Sequence, residues 1–346
     1  MSATDPLIAK ITDYLSTPDL QSLPVIAGRT FRIKFLAGGE YNLNYKLTST
    51  DDEVKLIFRV NIGTQIDRKD QILYEYRTLQ LLQSSGVTPV PYWVDDSRQY
   101  FQQGVLMMQF LPGEPLDYTT DLNAAAETLA RLHQVKVPEE QNHLIREQAP
   151  LSLIFEECAG LLQVYFDSEL ADPAIRTYLQ HVRDWADENR RAEVYYQLDS
   201  WHCIINTEVN SGNFIVNREN GTTHLVDWEM PRWGDPSQDL SHFCSPLTTL
   251  WKTTFRMTSE QKDGFIQYYK SVIQDLHLRD TLEERIALRD PFAYLRGISW
   301  SAMGWVAYQT EYKGRRNPDT WKTLQHYMRL DFIRSLFDPI LKRSLI

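Results

Sequence analysis

IINTEVNSGNFIVN (residues 204–217), followed after a short gap by HLVDWEMPRWGDPSQDL (residues 224–240), is the stretch on which the reading of the chain turns. It sets Glu208, Asn213 and Asp227 at the ends of two short apolar runs. An Asn amide oxygen and an Asp carboxylate are hard oxygen donors of the kind that hold magnesium across phosphates. A carboxylate at Glu208 suits the place beside an acceptor hydroxyl, where it orients the group or takes its proton. Gly212 lets the backbone turn tightly next to Asn213. Each of these residues taken singly also serves as an ordinary turn cap; their joint order is more than turns require.

Outward from this stretch, the first 110 residues alternate short extended runs with one helical segment. FRIKFL (31–36) and YNLNYKLT (41–48) are two such runs joined through Ala37, Gly38 and Gly39, and VKLIFRV (54–60) follows an acidic turn, which predicts an antiparallel sheet. Ile72, Leu73, Tyr76, Leu79 and Leu82 fall at helical spacing, and Gly86 stands where a C-terminal cap belongs. VLMMQFL (105–111) stops at Pro112 and Gly113, so the expected boundary divides residues 1–111 from 112–346. The second part reads as mostly helix, with a small hairpin from NFIVN through Gly221 to TTHLVD (222–227).

Hydrophobic residues make up 42 % of the 346 and charged residues 24 %, which excludes disordered, collagen-like and disulfide-framework classes. The net charge of −10 argues against a broad grip on nucleic acid or an anionic membrane. Cys158, Cys203 and Cys244 are scattered without a C-x-x-C pair, in keeping with a reducing compartment. No uninterrupted apolar run of membrane-spanning length and no basic-then-apolar leader is visible, so the expected location is cytoplasmic.

The order E-x-x-x-x-N, a strand, D-W-E and then G-D-P-x-x-D-L resembles the catalytic segment of the aminoglycoside phosphotransferase and choline kinase branch of the protein-kinase-like fold. The resemblance runs along the whole chain, through P-G-E-P and A-x-x-L-x-x-L-H. It implies an α+β fold in two lobes, a small antiparallel sheet with one helix and a larger, mostly helical lobe. It further implies that LAGGEYNLNYKL, with Gly38 and Gly39, covers phosphates; that Arg59 and Glu75 are the phosphate-holding cation and its helix glutamate; and that Gln109, Phe110 and Leu111 form the adenine-binding hinge. On the same basis Asn213 and Asp227 would hold Mg2+, and Glu208 would act beside the acceptor. The family usually reads H-G-D where this chain has Asn206, Thr207 and Glu208.

The expected activity is an ATP- and magnesium-dependent transfer of phosphate to a hydroxyl of a small molecule, an amino alcohol, amino sugar or related compound, with cationic acceptors among the candidates. The second reading is a catalytically weak nucleotide-binding protein that acts through interaction. Asp235 and Asp239 are expected to brace the loop and start a helix. Trp300, Trp305 and Tyr308 share one helical stretch, either as core or as an aromatic cage for a cation.

Overall fold

The structure is a computed structural model that describes residues 5–39, 41–64, 66–251, 253–310 and 317–345. Helix α1 (Pro6–Leu15) starts on Pro6, with the Asp5 side chain accepting from the Leu7 N–H at 3.0 Å. Short α2 (Pro18–Gln21) is followed by strands β1 (Phe31–Gly38), β2 (Asn42–Ser49) and β3 (Lys55–Asn61). Then come α3 (Gln71–Leu82), β4 (Pro91–Asp95), β5 (Val105–Gln109) and the two-residue β6 (Glu114–Pro115). Helices α4 (Leu122–His133), α5 (Pro150–Phe166), α6 (Pro173–Asn189) and α7 (Val194–Leu198) lead to β7 (Cys203–Ile205), β8 (Phe214–Asn217), β9 (Thr222–Leu225) and β10 (Arg232–Gly234). The chain continues through α8 (Ser237–Cys244), α9 (Pro246–Thr249), α10 (Ser259–Val272), α11 (Leu276–Gln309), α12 (Pro318–Tyr327) and α13 (Leu330–Phe337).

Contacts group these elements into two units. The first comprises Met1–Pro115, Val137–Leu144 and Asn213–Pro231; the second comprises Leu116–Lys136, Ile145–Gly212 and Arg232–Ile346. The boundary expected after Leu111 falls near the end of the first stretch. The return of the β8–β9 hairpin to the N-terminal unit has a plain cause, because β6 pairs antiparallel with β8 through Glu114 opposite Val216.

In the first unit a five-stranded antiparallel sheet has the order β1-β2-β3-β5-β4, with α3 between β3 and β4 in the chain. Strand alternation sorts its side chains. Tyr45, Leu47, Leu56, Phe58, Val60, Val105 and Met107 form one core with Ile11, Tyr14 and Leu15 of α1. The register of Asn44 opposite Arg59, Lys46 opposite Ile57 and Ile57 opposite Met108 therefore puts Asn44, Lys46 and Arg59 on the other face. β1 runs further than the sequence reading expects: a bulge at Phe35 to Ala37 carries the pairing on to Gly38 opposite Leu43, so Ala37 and Gly38 belong to the strand rather than to the connection. Glu40 of the same hairpin lies outside the described residues. Helix α3 ends at Leu82, a 3-10 turn covers Gln83–Ser85, and Gly86 closes it at φ 68°.

The second unit is built on α5 against the long α11, with Leu151, Leu162, Phe292, Leu295 and Ile298 in one core cluster. β7 and β10 form a two-stranded antiparallel ladder. Among the described residues no helix is long and apolar enough to cross a membrane.

Candidate active site

In the first unit, β3 delivers Arg59 to a cluster of oxygens. Its Nη1 lies 2.5 Å from Oε1 of Glu75 on α3 and 3.3 Å from Oδ1 of Asp227, which follows β9. Its Nε donates to Oδ1 of Asn44 on the neighbouring strand at 3.0 Å. Arg59 and Glu75 are buried, at 6 % and 2 % exposure. Burial alone draws the guanidinium pKa down, but Glu75, Asp227 and Glu229 outweigh it and keep the group charged, with its pKa above the ordinary value. Burial lifts the Glu75 carboxyl, against the pull of Arg59.

Asp227 adopts φ 65°, a left-handed conformation that Asp tolerates better than most residues. The Val226 N–H donates to the Asn213 carbonyl at 2.8 Å, which ties the start of β8 to the residue before Asp227. Two residues on, burial and the neighbouring Asp227 carboxylate push the Glu229 carboxyl up to about 8, and Glu229 Oε2 is buried with no hydrogen-bond partner. Helix α3 fixes this segment, since Gln71 donates to the Glu229 carbonyl and Tyr74 to that of Pro231, both at 2.6 Å. Among the described residues no group of three His, Cys, Asp or Glu side chains is placed to hold a metal. Asn213 and Asp227 carry hard oxygen donors, and the orphaned Glu229 oxygen is an unsatisfied acceptor of the same kind.

The second unit holds Glu208 on a rigid loop. Asp239 of α8 accepts from the Asn206 N–H at 2.7 Å and the Thr207 N–H at 2.8 Å. His133 Nε2 stands 3.3 Å from the same carboxylate, with its Nδ1 2.9 Å from the Tyr269 hydroxyl. Asn206 Oδ1 accepts from the Glu208 N–H at 3.1 Å, and Arg296 of α11 donates to the Thr207 carbonyl at 3.2 Å. Thr207 carries φ 75°, a conformation that a β-branched residue rarely adopts. Asp235 accepts from Arg285 Nη1 at 2.6 Å and from the Ser237 N–H at 2.9 Å, so both acids brace the segment as their positions suggest.

In the segment expected to bind adenine, the Gln109 N–H is engaged by the Val90 carbonyl and the Phe110 N–H by that of Lys55. Leu111 follows without a backbone bond of this kind among the described residues. Gly38 and Gly39 lie at the end of β1, with the Gly39 N–H donating to the Asn42 carbonyl at 2.9 Å. Arg59, Glu75, Asn213 and Asp227 thus fall in the first unit and Glu208 in the second.

Three residues escaped the sequence reading. Asn44 orients Arg59, and Lys46 sets its Nζ 3.8 Å from the centroid of the Phe110 ring. The signal for both was the period-2 alternation that puts them on Arg59's face. Arg296 had no signal, since only the path of α11 brings it to the loop. The aromatic trio disperses: Trp300 is 41 % exposed and meets Trp251 edge to face at 5.4 Å, Trp305 packs on Tyr165, and Tyr308 stacks on Trp321. The reason is geometric, because a five-residue step turns about 140° around a helix.

The model of the phosphotransferase enzyme family matches residues 32–279. No curated protein matches the chain in sequence. Among solved structures, the fold is similar to ethanolamine kinase from Plasmodium vivax, with 16 % identity, a TM-score of 0.61, and 93 % of this chain and 87 % of that one covered. It is similar to choline kinase from Cryptosporidium parvum, at 14 % identity and TM-score 0.58, covering 97 % and 98 %. Spectinomycin phosphotransferase, solved with ADP and spectinomycin, gives 15 % identity and TM-score 0.54 over 89 % of each chain. At these identities the likeness is one of fold.

Proposed function

The chain belongs to the phosphotransferase enzyme family, and from that premise we propose that it is a small-molecule kinase that transfers the terminal phosphate of ATP, with magnesium, to a hydroxyl of a small amine-bearing molecule. The observation that carries this reading is the contact of Arg59 with both Glu75 and Asp227. A cation that meets a helix glutamate and a metal-type carboxylate in one place is what phosphate positioning requires. Asn213, Asp227 and Glu229 would hold the magnesium, which when bound neutralises charge on the phosphates. Arg59 would grip phosphate oxygens through its planar fork, and Gly38 and Gly39 would let the β1–β2 hairpin lie close over them. Gln109, Phe110 and Leu111 would seat the adenine. Glu208, held by the Asp239-anchored loop, would orient the acceptor hydroxyl.

Support for an amine-bearing acceptor comes from α11. Trp300 lies one helical turn beyond Arg296, whose guanidinium holds the Thr207 carbonyl, and so its exposed ring stands on the side of α11 that faces the loop. An exposed indole attracts an alkylammonium group through its face.

Thermal-shift titration with ATP plus magnesium, on the intact chain and on Asp227→Ala, tests the nucleotide site without knowledge of the acceptor. At one hundred times its dissociation constant a ligand adds about 2.7 kcal/mol of stability. A magnesium-dependent shift that Asp227→Ala abolishes is the expected result. Absence of any shift at millimolar nucleotide overturns the proposal.

A further inference from the structure

The peptide that joins Thr207 to Glu208 is held at both ends. Its carbonyl accepts from Nη1 of Arg296 at 3.2 Å, and its N–H donates to Oδ1 of Asn206 at 3.1 Å. A peptide unit is planar, so fixing its oxygen and its nitrogen fixes the plane, and with it the direction in which the Glu208 Cα leaves the loop. Just before it, Asp239 holds the N–H groups of Asn206 and Thr207 at 2.7 and 2.8 Å. Between these anchors Thr207 sits at φ 75°. A strained conformation of this kind persists only where the surroundings over-determine it, and such positions gather at functional sites.

Arg296 is itself firmly placed. Arg285, Arg289 and Arg296 lie within about 40° of one another around α11. The first two are fully buried and lock the helix to its unit, Arg285 through Asp235 at 2.6 Å and Arg289 through Glu147 at 2.9 Å. The third reaches the loop with a side chain only 17 % exposed, so its bond to the carbonyl forms largely out of bulk water. Oε1 of Glu157 on α5 stands 3.6 Å from its Nε and adds a second anchor. Hydrogen bonds from a charged donor are shorter and stronger than those from a neutral one.

We propose that Arg296 and Asn206 are positioning residues for phosphotransfer, which pin the Thr207–Glu208 peptide and so aim the Glu208 carboxylate at the acceptor hydroxyl. This rests on the role given to Glu208 above. A glutamate has one more rotatable bond than the aspartate of the resembling motif, so its backbone must be fixed if the carboxylate is to arrive in one place.

Magnesium-dependent release of ADP from ATP is measured on the full chain, with ethanolamine, choline and spectinomycin as acceptor probes and with water alone. Arg296→Met keeps the apolar stem and removes the donor. It should lower the turnover number about tenfold or more, with the Michaelis constant for ATP unchanged. Arg296→Lys restores a cationic donor and should recover most of the loss, while Asn206→Ala should repeat the effect of Arg296→Met. NMR exchange of the Glu208 amide proton reads the pinning without turnover, and should quicken about tenfold or more in Arg296→Met and in Asn206→Ala. Trp305→Leu weakens the same unit away from the loop and should keep the turnover number, with melting curves recorded for every variant. A turnover number unchanged in Arg296→Met overturns the proposal, as does a fall that Trp305→Leu matches at the same loss of melting temperature. Unaltered amide exchange in both loop variants overturns it as well. A parent chain that transfers phosphate to none of the probes and not to water removes the kinase reading, and this inference with it. An active parent chain indifferent to Arg296 removes the inference alone.

Discussion

Arg59 and Asp227, 168 residues apart in the chain, meet at 3.3 Å. The guanidinium that holds the buried Glu75 also reaches the Asp227 carboxylate, so one cation from β3 is shared by two acids, from α3 and from the segment after β9, within one unit.

Removing the cation exposes that balance. Arg59→Met leaves Glu75 buried without its partner and should cost about 3–5 kcal/mol in urea unfolding. Adding Glu75→Met should restore most of the loss, because two apolar side chains then fill the space without an uncompensated charge. A double variant as unstable as the single one would mean that Asn44 and Asp227, rather than Glu75, set the worth of Arg59.

Thr207 occupies φ 75° where the resembling motif carries glycine. A side chain there strains against its own backbone, a cost of about 1–2 kcal/mol that glycine escapes, less its entropic penalty. Thr207→Gly should therefore be more stable than Thr207→Ala by about 1 kcal/mol, since both lose the hydroxyl and methyl but only Ala keeps the Cβ that strains the left-handed backbone. Equal melting temperatures for the two variants would show that the loop relaxes away from the left-handed conformation.

Acid should weaken the second unit through His242. Burial, and then the charge of Arg296, hold its imidazole pKa down at about 4, against an ordinary 6.5. Between these values the unfolded chain takes up a proton that the native chain refuses, so stability falls as pH drops from 6.5 and levels below 4. His242→Gln should flatten that slope by on the order of 2 kcal/mol, read from unfolding midpoints across the window. An unchanged slope assigns the acid sensitivity to other groups.

The two tryptophans of α11 should separate binding from stability. Trp300→Leu is expected to raise the Michaelis constant for an amine-bearing acceptor about tenfold, with little effect on turnover number or melting temperature. Trp305→Leu, whose ring packs on Tyr165, should lower the melting temperature by several degrees and spare the Michaelis constant. The reverse pattern would place the acceptor elsewhere.

Much of this was legible in the residues. Alternation in 41–48 and 54–60 announced β2 and β3, and helical spacing from Ile72 to Leu82 announced α3. The end of β1 was not legible, because Gly38 and Gly39 signal a turn while a bulge lets the strand continue through the first of them. The buried, unpartnered oxygen of Glu229 was not legible either, because it depends on packing that only the fold supplies, with Gln71 of α3 bonding the Glu229 carbonyl.

By itself the sequence determined which residue types alternate on one strand face, which recur on one helix, and the order of the carboxylates and amides around Asn213 and Asp227. Backbone periodicities of two and 3.6 residues suffice for that. Only the tertiary structure decided that Arg59 reaches both Glu75 and Asp227, that Asp239 and Arg296 grip Thr207 from two helices, and that Trp300 parts from Trp305. Those contacts join residues tens to hundreds of positions apart, and the loops and packing that bring them together carry no local periodicity to read.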